Sequence, residues 1–169
     1  MSKLHRLRLT DKIFFITCNL RQDRRTFGNV EFQTILEVIE ESRNKLGYLF
    51  CGYVLMPDHW HALIAPSYPV TISLIMRHVK STCSGRFNRQ RDSHGANWQH
   101  QFWDRFIRHA KEFSERLEYM HYNPVRKGLV SGPEEWRWSS CNNFSLDKSV
   151  VTTCPIQIDY VRLPDSHRD

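Results

Sequence analysis

The stretch Leu55-Met56-Pro57-Asp58-His59-Trp60-His61-Ala62-Leu63-Ile64 decides how the rest of the chain is read. His59–Ala65 is an apolar run with the length and composition of a β-strand. Pro57-Asp58 punctuates the chain before it, and residues 48–56 form another strand-like apolar run, so the two segments read as a hairpin-like pair. Side chains at i and i+2 of a strand leave the same face, with Cβ atoms roughly 6–7 Å apart. His59 and His61 can therefore reach one metal ion together, while Trp60 between them points into the opposite, packed face.

Outward from this pair the hydrophobic pattern alternates. Residues 12–20 (KIFFITCNL) are β-branched and aromatic, as in a buried strand, and residues 21–28 are polar and read as a loop. From Asn29 the apolar positions Phe32, Ile35, Leu36 and Ile39 fall at helical spacing, and Gly47 stops that helix. After a turn at 66–69, Ile72, Leu74, Ile75 and Val79 carry a second helix towards Phe87, with Lys80, Arg86, Arg89 and Arg91 making its later part basic. Residues 92–97 (DSHGAN) are a loop, 102–107 a short aromatic strand, and 111–122 a third helix closed by Asn123-Pro124. The order β-α-β-β-α-β predicts an α+β fold: a ferredoxin-like antiparallel sheet with helices on one face, to which a tyrosine-bearing helix and a C-terminal extension are appended. One domain is expected over residues 1–150, with a tail over 151–169 that shows little periodicity.

Composition sets the outer limits. A chain of 169 residues holds one domain with a real core. The excess of 24 Lys+Arg over 18 Asp+Glu favours a polyanionic partner, though it speaks to non-specific attraction and not to chemistry. Aromatic residues at 12%, with five Trp, exclude a disordered tail protein. The five cysteines, Cys18, Cys51, Cys83, Cys141 and Cys154, show no zinc-clamp or redox spacing, and a reducing cytoplasm is the natural setting. Residues 1–8 are basic without a following signal-type apolar stretch, so no secretory leader is expected. The apolar run at 48–56 is far short of a membrane span.

A His-x-His pair alone also fits two satisfied histidines on a strand. Its setting argues for more, because two unpartnered imidazoles on an apolar strand are costly to bury. Neutral imidazoles suit Zn, Mn and similar ions and less often Mg, and a third ligand must come from elsewhere. Asn123 is the candidate. With ~100° per residue, Phe113, Leu117 and Met120 form the stripe that faces the sheet. Tyr119 and Asn123 lie on its flank with Glu112 and Arg116, and Tyr122 looks outward. That selects Tyr119 as the candidate nucleophile.

A phenol ionises near pH 10, so it attacks a phosphodiester at neutral pH only when its proton is taken or its charge stabilised. A divalent cation helps by drawing charge from the non-bridging oxygens and holding the phosphate in line. Arg21, Arg24 and Arg25 in the first loop, Arg86 in the later part of the second helix, Arg105 on the aromatic strand, Arg108 just past it, and Arg126 and Lys127 past Asn123 are candidate phosphate contacts. Each fits a solvated surface position equally. Trp98, Phe102 and Trp103 could stack on unpaired bases, with core packing as the competing role.

Taken in order, ITCNL at 16–20, GYVLMPDHWHALI at 52–64, FWDRFIR at 102–108, YMHYNPVRKGLV at 119–130 and WRWSS at 136–140 resemble the single-tyrosine HUH transposases. The closest resemblance is to the REP-associated tyrosine transposases. It implies the HUH endonuclease fold and a divalent ion, Mg or Mn, held by His59, His61 and Asn123, with Tyr119 attacking. It implies a single-stranded DNA substrate folded as a repetitive extragenic palindrome hairpin, cut through a covalent 5′-phosphotyrosine. It further implies a monomer with the tyrosine acting in cis, in the bacterial cytoplasm at the nucleoid. Two other readings stay open at this point: a hairpin-binding protein that does not cleave, and a small metal hydrolase that uses water in place of Tyr119.

Overall fold

In a computed structural model of the chain, residues 12–163 and the backbone of His5–Arg6 are described; the rest of the basic stretch 1–8 and residues 164–169 lie outside the described residues. The elements are β1 (His5–Arg6), β2 (Ile13–Asn19), α1 (Asn29–Leu46), β3 (Leu49–Leu55), β4 (His59–Ala65), α2 (Ile72–Arg91), β5 (Trp103–Ile107), α3 (Ala110–Arg126), α4 (Lys148–Thr152) and β6 (Val161–Arg162). Four strands make the main sheet in the order β3-β4-β2-β5, with every neighbouring pair antiparallel. That order is the one a ferredoxin-like βαββαβ chain produces. β1 and β6 form a separate short parallel pair.

The pleat sorts β2 and β4 into two faces. Ile16, Cys18, Trp60, Ala62 and Ile64 join Phe32, Ile35 and Ile39 of α1 and Ile75 and Val79 of α2 in the larger core. Trp60 is thus packed away from the histidines, as the two-residue period requires. The other face carries Ile13, Phe15, Val54, Leu63 and Ile107, which meet Phe113 and Met120 of α3 in a second core with Leu117 packed at its margin. Helices α1 and α2 share one face, and the appended helix takes the opposite one.

Local chemistry starts and stops these helices. The Glu31 carboxylate accepts from the Gly28 N–H at 2.8 Å, and Gly47 ends α1 in the left-handed region at φ 72°. Thr71 Oγ1 accepts from the Leu74 N–H at the start of α2, and His109 Nδ1 accepts from the Glu112 N–H at the start of α3. Gly52 on β3 faces α3 so closely that a Cβ there would lie 2.6 Å from Leu117 Cδ2. Its missing side chain lets the helix settle on the sheet.

The structure corrects the expected end of α3. The helix does not close at Asn123-Pro124 but continues to Arg126, with Pro124 inside it. Proline removes a single helical N–H here. The burial of Met120, His121, Asn123 and Pro124 holds the last turn in place, and Lys127 N–H still donates to Asn123 O at 3.0 Å.

The segment after Val151 contributes to the packing. Ile156 and Ile158 are buried in the larger core. The Asp159 N–H donates to Phe50 O at 2.8 Å, and the Phe50 N–H donates to Asp159 Oδ2 at 2.9 Å. Leu55 N–H donates to Trp138 O, so the outer edge of β3 is covered along much of its length. Among the described residues no helix is long and apolar enough to cross a membrane, and all five cysteines are free.

Candidate metal and nucleophile site

His59 opens β4 and His61 follows two positions on, so both imidazoles leave the α3 face, with ring centroids 4.8 Å apart. Each ring is held by its Nδ1. That of His59 lies 2.6 Å from Asp58 Oδ1, and that of His61 lies 2.8 Å from Thr17 Oγ1 on the neighbouring strand, where the register pairs Thr17 with His61. Both Nε2 atoms are left for another partner. Orientation of a ligating histidine through its second nitrogen is the usual arrangement at metal centres.

His61 is 5% exposed, and its Nε2 is buried with no hydrogen-bond partner among the described residues. Burial, reinforced by the nearby His59, pushes its pKa down to about 3. The ring is therefore neutral with a lone pair free, the form a metal ion binds. The Asn123 carboxamide comes from α3 with its Nδ2 3.2 Å from His59 Nε2, in hydrogen-bond contact; the carboxamide oxygen is the atom that would serve a metal ion. The His59 ring thus adjoins both the His61 ring and the Asn123 carboxamide, and the neighbouring His61 Nε2 is left unpartnered among the described residues. This donor set fits a divalent cation of the Mn or Mg kind when phosphate oxygens complete the shell. Among the described residues no group of three or more His, Cys, Asp or Glu side chains offers a competing site.

Tyr119 stands next to this cluster. Its ring centroid is 5.5 Å from that of His61 and 6.2 Å from that of Phe15, in edge-on contact with both. Phe15 in turn stacks on His61 at 5.1 Å. Tyr119 is 42% exposed and Tyr122 is 44% exposed, so exposure does not separate them. Contact does: of the two, Tyr119 is the one in ring contact with His61. Arg126, two helical turns further on, sets its guanidinium 4.7 Å from the Tyr119 ring centre and donates to the Tyr119 backbone carbonyl. Arg116 lies 5.2 Å from the Phe15 ring centre. Both arginines contribute to keeping His61 uncharged.

The remaining candidate cations divide by position. Arg126 adjoins the site, and Lys127, next in the chain, is exposed. Arg105 sits on β5 opposite Phe15 and pairs with Glu112 at 2.8 Å. Burial acts to raise the Glu112 pKa, but the Arg108 N–H and the Arg105 guanidinium together hold it below the usual range. Arg108 is exposed beyond β5. Arg24 donates to the carbonyls of His94 and Ala96 and so ties two loops together. Arg21 pairs with Asp23 in the same loop, and Arg25 reaches Glu31 at 3.4 Å. Arg86 pairs with Glu41 between α2 and α1, on the face away from the histidines. Trp98 is buried and Phe102 packs against the core, whereas Trp103 is exposed. Of the two polar partners that hold the imidazoles, one escapes a reading of the sequence. Asp58 was visible as the neighbour of His59, but Thr17 lies 44 positions from His61 and meets it only through the sheet register.

Comparison with known proteins identifies the family. The model of the family described as "Transposase IS200 like" matches residues 12–136. The REP-associated tyrosine transposase of Escherichia coli K12 is 24% identical over 141 residues, covering 83% of this chain and 82% of that protein. A provisionally named REP-associated tyrosine transposase of Haemophilus influenzae is 31% identical over 97 residues, covering 51% of this chain and 54% of that protein. A solved REP-associated tyrosine transposase bound to a REP hairpin has the same fold, with a TM-score of 0.70 at 24% identity over 83% of each chain. A match over most of the sheet, both packed faces and the histidine pair carries one conclusion: the chain belongs to the IS200-like transposase family.

Proposed function

We propose that this chain is a metal-dependent single-stranded DNA endonuclease and strand transferase that acts on repetitive extragenic palindrome hairpins. The observation that carries the reading is the contact of the Tyr119 ring with His61 beside the adjoining His59, His61 and Asn123 side chains. Kinship with proteins named for REP association, one of them solved on a REP hairpin, supplies the substrate class.

In this reading Tyr119 Oη attacks the scissile phosphorus and loses its proton. An Oη–P bond forms, the P–O3′ bond breaks, and the departing 3′ oxygen takes up a proton. The 5′ end stays on Tyr119 as a phosphodiester of similar energy, so the reverse step rejoins DNA without a nucleotide cofactor. His59, His61 and Asn123 are the residues that would hold Mg or Mn. Lewis acidity at the non-bridging phosphate oxygens is what such an ion supplies when bound. Phe15 stacks on His61 and meets Tyr119 edge-on, and so packs against both. Arg126 places a positive charge against the phenol ring, where negative charge passes during attack. Arg105, Arg108, Arg116 and Lys127 are the nearest further cations for flanking phosphates, whereas Arg24 and Arg86 serve the fold first. We assign Tyr119 to act in cis, because its ring contacts His61 of its own chain, and take the working unit to be a monomer. A hairpin DNA substrate puts the protein at the nucleoid of a bacterial cytoplasm.

The test is a labelled hairpin oligonucleotide with single-stranded flanks, incubated with and without Mg or Mn beside Tyr119→Phe. A denaturing gel should show a protein–DNA adduct that needs metal and vanishes in the variant. Tight binding without an adduct would replace this reading with a non-cleaving hairpin binder. Cutting that survives Tyr119→Phe would favour attack by water.

A further inference from the structure

Of the five tryptophans, Trp60, Trp98 and Trp138 are buried and Trp136 packs against both cores with its Nε1–H donating to Leu55 O. Trp103 is 71% exposed, and its indole makes no hydrogen bond or ring contact among the described residues. An indole left in water on a rigid strand forfeits the burial that an aromatic side chain normally gains.

Its placement gives the exposure a use. The register pairs Trp103 with Thr17 and Thr17 with His61, so the three residues form one row across β5, β2 and β4. Directly paired residues point to the same face. At ~4.8 Å per strand, the Trp103 backbone lies about 10 Å from that of His61. α3 packs over β3, while Trp103 and Arg105 of β5 stay open to solvent. Among the described residues β5 is also the sheet edge with no strand beyond it, unlike the covered edge of β3.

The surface between Tyr119 and Trp103 is positively charged. Arg116 stands over Phe15 and Arg126 over Tyr119, and neither is in an ion pair with a carboxylate among the described residues. A flat aromatic platform at the end of a cationic path from a phosphate-cleaving site suits one nucleotide chemistry: a backbone on the arginines and an unpaired base on the indole.

We propose that Trp103 is the stacking platform for an unpaired base of the single strand that flanks the phosphate at Tyr119, outside the hairpin stem. The proposal deepens the functional reading above and rests on it. A paired base inside a duplex has both faces covered by its neighbours, so this contact selects single-stranded flanks. Because every base has a π-face, it tolerates sequence and adds affinity without reading a letter.

The test measures binding of the full chain, in a Tyr119→Phe background to prevent cutting, by fluorescence anisotropy. One DNA is a hairpin with single-stranded flanks, and the other is the same hairpin with the flanks removed. Trp103→Ala should weaken binding of the flanked hairpin by roughly 5- to 150-fold, the range for loss of a base–aromatic stack. Trp103→Phe should recover most of it, and the trimmed hairpin should bind all variants alike. Abasic nucleotides walked along the flank should abolish the Trp103→Ala effect at one position. Unchanged binding by Trp103→Ala, or equal loss on the trimmed hairpin, overturns the proposal. Adduct formation by the chain with native Tyr119, measured in parallel, separates the two readings. An adduct together with unchanged Trp103→Ala binding sinks the stacking role alone, and flank-dependent stacking without any adduct sinks only the cleavage reading. A chain that binds neither DNA refutes both.

Discussion

Gly52→Ala tests whether the seating of α3 on β3 sets the distance between the tyrosine and the histidines. The new Cβ would lie 2.6 Å from Leu117 Cδ2 and 3.4 Å from both Met120 Cε and Ser140 Oγ. The first distance is well inside van der Waals contact, so either Leu117 rotates or the helix lifts. Overpacking of this kind costs about 1–3 kcal/mol. For a domain of this size each kcal/mol shifts Tm by about 2–4 °C, so the variant should melt roughly 2–12 °C below wild type. Leu117 is two residues from Tyr119, and a lift of the helix moves the phenol off the His61 ring. Misplacement by ~1 Å costs on the order of a hundredfold in rate, so DNA–protein adduct formation should fall further than stability alone explains. Leu117→Ala removes the clashing atoms. In the double variant the Gly52→Ala penalty should shrink, giving a coupling of about 1–2 kcal/mol in a denaturation cycle and a partial return of adduct. A Gly52→Ala protein that melts and reacts like wild type, or a penalty that Leu117→Ala leaves unchanged, would refute the reasoning.

The metal assignment carries a thermal signature apart from activity. Mg or Mn at about a hundred times its Kd should stabilise the fold by about 2.7 kcal/mol, or roughly 5–10 °C in Tm, and His61→Ala should lose that increment; equal shifts in the two proteins would sink the ligand set. Thr17→Val leaves the ligands in place but frees the His61 ring, and titration should show metal affinity reduced by about 10- to 100-fold. An unchanged titration would mean that the Thr17 contact orients nothing. Acid should also find His121, whose ring is buried 2.9 Å from Ser140 Oγ and whose pKa burial lowers from 6.5 to about 4. The unfolded chain takes up this proton first as pH falls below 6.5, so stability is full above that value and declines towards pH 4. The loss should be on the order of 2–3 kcal/mol by urea denaturation at pH 4.5, and smaller in His121→Gln; equal acid sensitivity in both would reject burial of His121 as its source.

Much of the site was legible because it depends on local periods. The pleat alone puts His59 and His61 on one face and Trp60 on the other, wherever the strand sits in the sheet. The helical wheel likewise brings Phe113 and Met120 onto the sheet and leaves Tyr119 and Asn123 on its flank. The end of α3 was not legible. A proline rule weighs one lost hydrogen bond, and the burial that outweighs it comes from β3 and the segment around Ser140, far away in the chain.

From the sequence by itself came the βαββαβ order, the paired histidines and the tyrosine–carboxamide spacing, because strand and helix geometry repeat every two or 3.6 residues and need no distant partner. Tertiary structure alone decided which hydroxyl holds the His61 Nδ1, which arginines bind loops or carboxylates, and that Trp103 is the exposed one. It also brought Ile156 and Ile158 into the core from a segment without periodicity. Those outcomes depend on which strands adopt which register across the sheet, and register is settled by the summed packing of residues tens of positions apart.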